Sequence, residues 1–485
     1  MNRWMQGLTV LLAAGGHAIE PVQAQGTPGS KGGLEIIGSH RLRWEHWRWF
    51  ETPGFQDTYN YVGSLLRVGV SRSDRRAETT LEFASPAFIN LPANALAPPP
   101  QGALGLGANY RDSSGNQSAG FFIKQGFVRF RGEQPEDASL KIGRFEFGDG
   151  TEVMPPDPTL TWVKQNRIAQ RLIGPFSFTH VGRSLDGLLY VQGPPERNTA
   201  FLFAFPTRGV FDVNGWDTLL QIQAAYLAHT RARKERRGSS ETRWFAIYYG
   251  DARRQPVKTD NRPLAVRAAD RNQIHIGTFG MHYLRALPVG SGIADGLFWL
   301  VGQIGQWGTL RHGAVAATAE LGYQWPRAWG KPWVRLGYFI GSGDRDPSDS
   351  EHNTFIPLMP TPRLYARDPF YNESNVQDAF LFVILRPNPK LTLRADLHGI
   401  WLANPKDLWY AAGGAFNNQV FGFFGRTSGG RSYLATMADV SMEWQVAPKT
   451  TLTFYLAYVK GGDVIASAYA GTDSTFGLLE LNHRF

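Results

Sequence analysis

Residues 474–485, STFGLLELNHRF, form a strand pattern at the end of the chain, and this stretch decides the expected fold class. One face of such a strand is mostly apolar and includes Leu479, Leu481 and Phe485, whereas the other face is charged and includes Glu480. An outer-membrane β-barrel is expected to end in this way, because its last strand closes the barrel against the first and leaves no unpaired edge in lipid. A β-rich periplasmic sandwich is the structural alternative.

The amino terminus predicts export. Arg3 gives a short positive region, and Met5–Ala14 is an apolar run that is too short to span a membrane. Small residues follow around a cleavage point after Ala24. We therefore expect a secretory signal peptide over residues 1–24, a short periplasmic segment over 25–33, and a single outer-membrane barrel domain over 34–485.

Composition agrees with a barrel and restricts its partners. The 485 residues contain no dividing linker, 54 glycines, 13% aromatic residues and 19% charged residues. Outer-membrane barrels have this profile, and the mean hydropathy of −0.28 fits strands that alternate between lipid and water. There is no cysteine, so something other than disulfides must hold the chain together, such as a closed hydrogen-bond network. The net charge of +9 favours anionic partners, while the export signal argues against nucleic acid.

Period-two alternation recurs along the chain. In the segment 391–401, Leu393 and Leu397 alternate with Arg394 and Asp396, and the segments 34–49, 318–325 and 438–446 behave in the same way. Such segments place one face in an apolar medium and the other in a wet one. The pattern predicts an all-β fold, a transmembrane antiparallel β-barrel of about 18 strands, which is an even number as in bacterial barrels.

The predicted connections are of two lengths. Short turns are expected at 73–76, 133–137, 194–198, 326–331, 387–389 and 447–449, and long loops at 89–119, 147–184, 342–377 and 404–433. With both termini in the periplasm, the short turns are periplasmic and the long loops extracellular, which is the asymmetry of an outer-membrane barrel. The basic stretch 231–241, RARKERRGSSE, is expected to be a long periplasmic turn that is either solvated or in contact with periplasmic partners.

The segment 143–187 is the first candidate site. It begins at a strand end and runs into a loop long enough to fold back into the barrel. Arginines there would form a positive constriction, because the planar guanidinium group suits carboxylate ligands. The predicted pore residues are Arg144, Arg167, Arg171, Arg183 and Asp186 in this segment, with Arg41, Arg43, Arg67, Arg129, Arg131, Arg335 and Arg394 on other strands. The alternative is a set of charge ladders that brace the barrel wall.

The segment 341–375 is the second candidate site. Its acidic residues Asp344, Asp346, Asp349 and Glu351 offer oxygen ligands for a Ca²⁺ ion in an extracellular loop. Their spacing lacks the full EF-hand pattern, and a solvated acidic loop is the alternative.

Trp401, Trp409 and Tyr410 are expected in the aromatic belt at the membrane interface, with stacking on sugar rings as the alternative.

No catalytic motif is present: there is no Gly-x-Ser-x-Gly elbow, no His-Glu-x-x-His and no phosphate-binding loop. His275 and His282 have no convincing serine partner. We therefore expect neither an enzyme nor a cofactor apart from the calcium ion considered above.

The chain resembles the alginate-export outer-membrane porin family. The matching stretches are KIGRFEFGDG (141–150), RLIGPF (171–176), HVGRSLDG (180–187), GSGDRDPSD (341–349) and DLWYAAGG (407–414). The resemblance implies an 18-stranded monomeric barrel that passes an anionic uronate polysaccharide outward through an arginine-lined constriction gated by loops. Carried over by motif, Arg144, Arg183 and Asp186 belong to the constriction, and Asp344 with Arg345 belongs to a matching outer loop.

The expected function is therefore a passive channel in the outer membrane of a Gram-negative bacterium that exports an anionic polysaccharide such as alginate. Its expected partners are that polysaccharide, outer-membrane lipid and the periplasmic export machinery. The alternative is a substrate-specific uptake porin for small anionic solutes such as sugar acids. A non-conducting adhesin or structural barrel is a third class.

Overall fold

A computed structural model describes residues 33–132, 138–361, 365–411 and 424–485. The predicted signal peptide, nearly all of the predicted periplasmic segment and the end of the stretch 407–414 lie outside the described residues.

The described chain forms a closed barrel of 18 antiparallel strands, as predicted. The strands are β1 Leu34–Arg48, β2 Thr58–Ser73, β3 Ala77–Ile89, β4 Phe122–Arg131, β5 Ser139–Phe145, β6 Leu185–Gln192, β7 Arg197–Pro206, β8 Ile222–Glu235, β9 Gly238–Asp251, β10 Ile274–Val289, β11 Gly292–Trp307, β12 Leu310–Gln324, β13 Trp333–Gly341, β14 Val376–Asn388, β15 Leu391–Leu402, β16 Tyr433–Ala447, β17 Thr450–Gly461 and β18 Asp473–Arg484. Each strand pairs with the next in sequence, and β18 pairs with β1. Closure satisfies the backbone hydrogen bonds that an open sheet edge would leave unpaired in lipid.

The two faces of each strand differ as the alternation predicts. On β1 the exposed fractions of Leu42 and Trp44 are 41% and 45%, whereas those of Arg41 and Arg43 are 4% and 3%. On β18 the exposed fraction of Leu479 is 46%. The exposed face therefore turns apolar side chains to the membrane, and the buried face turns charged and aromatic side chains to the lumen.

Short turns connect strands at the end of the barrel that carries the termini, and the described parts of the predicted long loops lie at the other end. The predicted turn at 133–137 lies outside the described residues, as do residues 362–364 and 412–423 of two predicted long loops. The predicted long basic turn at 231–241 is wrong. β8 extends to Glu235 and β9 begins at Gly238, so only Arg236 and Arg237 separate them. Strand pairing continues through this basic stretch because it alternates, with Ala232 buried and its neighbouring arginines exposed.

The remaining elements lie in the connections. They are α1 Leu106–Ser114, α2 Pro158–Val163 with a π-helical turn Lys164–Ile168, α3 Leu264–Ala269, α4 Asp463–Ala466 and the short strands Glu351–His352, Trp409–Ala411 and Phe424–Arg426. None of the helices in the described ranges has the length and apolar character that a membrane-spanning helix requires.

Two long loops fill the lumen and form much of the core. The first lumenal loop is residues 146–184, and the second lumenal loop is the described residues 342–361 and 365–375. In the first, the Asp157 carboxylate accepts hydrogen bonds from the backbone N–H groups of Thr159 and Leu160, at 2.9 and 3.1 Å, and so caps α2. Trp162 of α2 then packs 4.4 Å from the wall residue Trp333, measured between ring centroids.

The two lumenal loops are joined by backbone hydrogen bonds. Gly174 N–H donates to the Met359 carbonyl at 2.8 Å, Met359 N–H donates to Leu172 at 2.8 Å, and Thr361 N–H donates to Gln170 at 2.9 Å. These bonds make the loops a single body inside the barrel, which holds the loop arginines next to the wall.

Candidate functional site

A group of arginines meets in the lumen where the first lumenal loop contacts β12–β15. We call Arg167, Arg171, Arg335 and Arg394 the lumenal arginine cluster. Three of these guanidinium groups surround the ring of Phe382. The distance from the guanidinium carbon Cζ to the ring centroid is 4.2 Å for Arg394, 5.2 Å for Arg167 and 6.0 Å for Arg335. The electron-rich ring face attracts the cations and holds their planes in place.

Carboxylates of the wall set the positions of these arginines. Arg167 Nε donates to both carboxylate oxygens of Glu320 at 3.0 Å. Arg335 Nη2 also donates to Glu320, at 2.9 Å, and Arg335 pairs with Asp295. Arg394 binds both oxygens of Asp396. All of these side chains are buried, so the ion pairs operate at low dielectric.

Arg171 differs from its neighbours because much of its hydrogen-bonding capacity is unused. Its Nη2 donates to the Arg167 carbonyl at 2.7 Å, and its guanidinium lies 4.7 Å from the Trp299 ring. Its Nε has no hydrogen-bond partner among the described residues. Its Nη1 lies 3.4 Å from the carboxylate of Glu373, and burial raises the pKa of that carboxyl to about 7 despite Arg171.

Arg183 ties the two lumenal loops together. Its Nη1 donates to the carbonyl of Gly174 at 2.5 Å, to that of Pro360 at 3.2 Å and to that of Met359. It is 1% exposed, and this burial lowers the pKa of the guanidinium to about 9. Arg183 lies inside the barrel, and its contacts are those of a loop brace. Its role in a constriction stays a prediction.

Arg41 and Arg43 hold the end of the first lumenal loop against β1. Arg41 donates to the carbonyls of Ser177 and Thr179 at 2.7 and 2.6 Å. Arg43 donates to the Phe178 carbonyl at 2.7 Å and pairs with Glu480 of the last strand. The contacts of these two arginines join the loop to the strands that close the barrel.

The other predicted wall arginines form local ladders. Arg67 pairs with Glu82 and, at 2.8 Å, with Glu146 at the start of the first lumenal loop. Arg129 and Arg131 both pair with Glu78 near the ends of β3 and β4, on the side of the short turns. These three arginines therefore match the wall-brace alternative.

Arg144 and Asp186 do not line the lumen. Arg144 forms a two-bond pair with Asp186 at 2.7 and 2.8 Å and donates to the Trp216 carbonyl at 2.9 Å. On β5, Lys141 and Phe145 are buried in the lumen, so Arg144 has the opposite parity and shares the outward face with Ile142, which is 47% exposed. The assignment of Arg144 and Asp186 to the bore is thus corrected: strand parity turns both side chains outward.

Arg243 is a lumenal cation that was not predicted. Arg243 of β9 is fully buried, and its guanidinium lies 3.4 Å from Glu152 and 3.8 Å from Asp149 of the first lumenal loop. Burial raises the pKa of Asp149 to about 6 although Arg243 opposes the shift. Alternation gives only a weak signal at Arg243, because Trp244 outside and Phe245 inside are both apolar and Glu241, which shares its inward face, falls in the stretch predicted to be a turn.

The four calcium candidates lie in the second lumenal loop but do not surround one point. Among the described residues, they do not form a group of ligand atoms within 4.8 Å of one another. Asp346 and Asp349 instead cap turns by accepting from the N–H groups of Ser348 and Glu351, and Glu351 pairs with Arg311. Asp344 is 1% exposed, and its burial raises the pKa of the carboxyl to about 7. A calcium site there stays a prediction.

The aromatic residues at 401–410 divide between two environments. Trp401 is 37% exposed and faces outward, in agreement with a position in the aromatic belt. Trp409 and Tyr410 are each 1% exposed, and Trp409 Nε1 donates to the Phe370 carbonyl at 2.9 Å. Their assignment to the belt is wrong, because they pack under the extracellular loops.

Comparison with known proteins identifies both a family and a fold. The alginate export family model matches residues 228–476, which is just over half of the chain. No curated protein has a matching sequence.

Solved structures match over nearly the whole barrel. Pseudomonas aeruginosa OccK9 (OpdG) has 12% identity and a TM-score of 0.55, covering 93% of this chain and 98% of that chain. Acinetobacter baumannii OccAB2 has 8% identity and P. aeruginosa OpdK with vanillate has 9%; both have a TM-score of 0.54 and the same coverage of 93% and 98%. At these identities the similarity shows a shared fold.

Proposed function

The chain belongs to the alginate export family, and on that premise we propose that it exports an anionic polysaccharide such as alginate through its arginine-lined lumen. It is an outer-membrane porin of a Gram-negative bacterium.

The observation that carries the proposal is the unused hydrogen-bonding capacity of buried guanidinium groups. Arg171 Nε, Arg243 Nε and Arg243 Nη1 have no hydrogen-bond acceptor among the described residues. A buried donor without an acceptor costs about 1–3 kcal/mol, so an entering carboxylate would gain by pairing with it. A uronate polymer carries one carboxylate per sugar and could exchange partners along its length.

Neighbouring carboxylates support transport rather than tight binding. Glu373 lies beside Arg171, and Asp149 and Glu152 lie beside Arg243. Each competes with a ligand carboxylate for the same cation, so a bound sugar can leave. Permeation requires attraction that is weak enough to release the solute.

Passage of a polymer requires the two lumenal loops to shift, because they occupy the bore. The loops are held to each other and to the wall by hydrogen bonds and ion pairs. A polymer that competes for the arginines would loosen these same contacts, which couples binding to opening. Driving force would come from synthesis or from periplasmic export machinery.

A planar-bilayer experiment on the refolded full chain tests the proposal. We expect an anion-selective current that oligouronates block and neutral oligosaccharides of equal length do not. Arg171→Gln and Arg243→Gln should each weaken the block. Arg144→Gln is the matched control, because Arg144 lies on the outward face.

The alternative is uptake of a small anionic solute, and the filled bore is the observation that favours it. The fold is shared with OpdK, whose structure contains vanillate. A current that small sugar acids block and oligouronates leave unchanged would select this alternative. A barrel that conducts nothing, even after removal of the lumenal loops, would overturn both and favour a structural role.

A further inference from the structure

Three adjacent wall strands bring one histidine and three aspartates together on the lumenal face. Asp378 lies on β14, Asp396 and His398 on β15, and Asp439 on β16. Asp378 is 0% exposed, His398 1%, Asp396 5% and Asp439 6%. Asp396, His398 and Asp439 each offer one ligand atom, and these atoms all lie within 4.8 Å of one another.

The histidine is oriented as a metal ligand would be. His398 Nδ1 lies 3.0 Å from Asp378 Oδ1, and Asp378 Oδ2 accepts from the Tyr371 hydroxyl at 2.8 Å. A carboxylate on one ring nitrogen fixes the proton there and leaves the lone pair on the other nitrogen. That other nitrogen, Nε2, faces Asp396 and has no hydrogen-bond partner among the described residues.

The two carboxylates next to Nε2 are also placed to share a cation. Asp396 and Asp439 are directly opposite each other in the β15–β16 register. Like charges in directly opposed positions destabilise a sheet, and here they are also removed from water. Arg394 pairs with Asp396, whereas Asp439 Oδ2 has no hydrogen-bond partner in the described ranges.

A divalent cation would balance the charge of the group in its metal-bound form. With all three carboxylates ionised, Asp378, Asp396 and Asp439 contribute three negative charges, and Arg394 contributes one positive charge. A metal-bound imidazole is neutral, so the cation would neutralise the two negative charges that remain. The alternative, an imidazolium shared between Asp378 and Asp396, fits less well because Nε2 lies 3.9 Å from Asp396 Oδ2, beyond hydrogen-bond range.

We propose that Asp396, His398 and Asp439 form a divalent-metal site in the barrel wall, with Asp378 as the residue that positions His398. One imidazole nitrogen and two carboxylates suit Zn²⁺, which binds such ligands at about 2.0–2.2 Å and accepts three protein ligands with an open position. Ligand atoms around one such ion lie at most about 4.2 Å apart, so small rotations of the carboxylates close the site. The open position would take water or a solute carboxylate.

Metal binding to the refolded, chelator-treated full chain tests the site directly. Titration calorimetry with Zn²⁺ should give one site per chain. His398→Gln and Asp439→Asn should each abolish it. Asp378→Asn should weaken it about 10–100-fold, as loss of an outer partner does in other metal sites. Arg394→Gln should tighten it, because it removes a competing cation from Asp396.

His282→Gln is the matched control, because His282 is also buried, lumenal and paired with a carboxylate, Glu241, at 2.7 Å. It should leave Zn²⁺ binding unchanged. Wild-type protein that binds no Zn²⁺, or binding that survives both His398→Gln and Asp439→Asn, would overturn the site. If those variants fail to fold, Co²⁺ added to the wild type tests the metal site. An absorption spectrum without the bands of low-symmetry nitrogen–oxygen ligation would overturn the site.

Discussion

The outward face of β5–β7 and the lumen of the barrel both contain arginine–carboxylate pairs, yet the two regions differ in what those pairs can do. Arg144 and Asp186 pair on the outward face, and Arg144 also donates a hydrogen bond to the Trp216 carbonyl. Arg167 and Glu320 pair in the lumen, where both are fully buried. The lesson is that strand parity, more than the presence of arginine in a family motif, decides whether a charge faces the solute.

The strongest test of the lumenal side is Arg183→Ala. It leaves the carbonyls of Gly174, Met359 and Pro360 without their donor, at a cost of about 3–5 kcal/mol in unfolding free energy. The two lumenal loops should separate, and single-channel conductance should rise. Arg183→Lys, which keeps a charge and three donors, should restore part of both. An unchanged conductance in the alanine variant would show that Arg183 does not hold the loops together.

The assignment of the outward face to lipid can be tested by how the cost of an outward-facing arginine depends on its depth in the membrane. Leu397 faces outward at the centre of β15 and is 52% exposed, so Leu397→Arg should cost about 2–4 kcal/mol in denaturant unfolding from lipid vesicles. Val446 faces outward near the end of β16, and Val446→Arg should cost only about 0–1 kcal/mol. Equal costs at the two positions would contradict the assignment of this face to lipid.

The outward ion pair should contribute to stability without affecting selectivity. Arg144→Leu leaves Asp186 with only Thr218 and a partly exposed surface, which should cost about 1–2 kcal/mol. Arg144→Leu combined with Asp186→Leu should recover most of that loss, because apolar side chains suit this face. Ion selectivity in planar bilayers should be the same in all three proteins. A shift in selectivity would return Arg144 to the bore.

The smallest expected effect is a pH dependence of the lumenal loops. Burial raises the pKa of Glu373 from 4.5 to about 7, so the folded loops favour the protonated carboxyl. Its contribution to stability is full below about pH 4.5 and is lost as the pH rises through about 7. Conductance should therefore increase modestly from pH 5 to pH 8, and Glu373→Gln should remove that part of the dependence.

Much of the wall could be predicted from sequence because a strand between lipid and a polar lumen imposes a simple period. The alternation predicts all 18 strands and the four long loops between them. The prediction of a turn over 231–241 is wrong, because the charges of this segment hide the alternation of Ala232 with its neighbours. The prediction of Arg144 in the bore is also wrong, because Ile142, two residues earlier, marks the outward face.

The contents of the lumen could not be predicted in the same way. Phe382 lies among apolar residues on both faces of its strand, and Arg243 directly precedes such a stretch, so alternation distinguishes the inward positions poorly. The contact between Gly174 and Met359 joins loops that are far apart in sequence. The grouping of Asp396, His398 and Asp439 likewise depends on the register between two strands.

The sequence by itself determined the closed barrel, its strand number and the asymmetry of its ends, because each follows from local alternation and from the need to pair every strand edge in lipid. Only the tertiary structure decided which arginines face the solute and what holds them. That outcome depends on how two long loops fold back into the bore and on the carboxylates that the register of the wall places against them. Contacts between residues so distant along the chain have no local pattern from which to predict them.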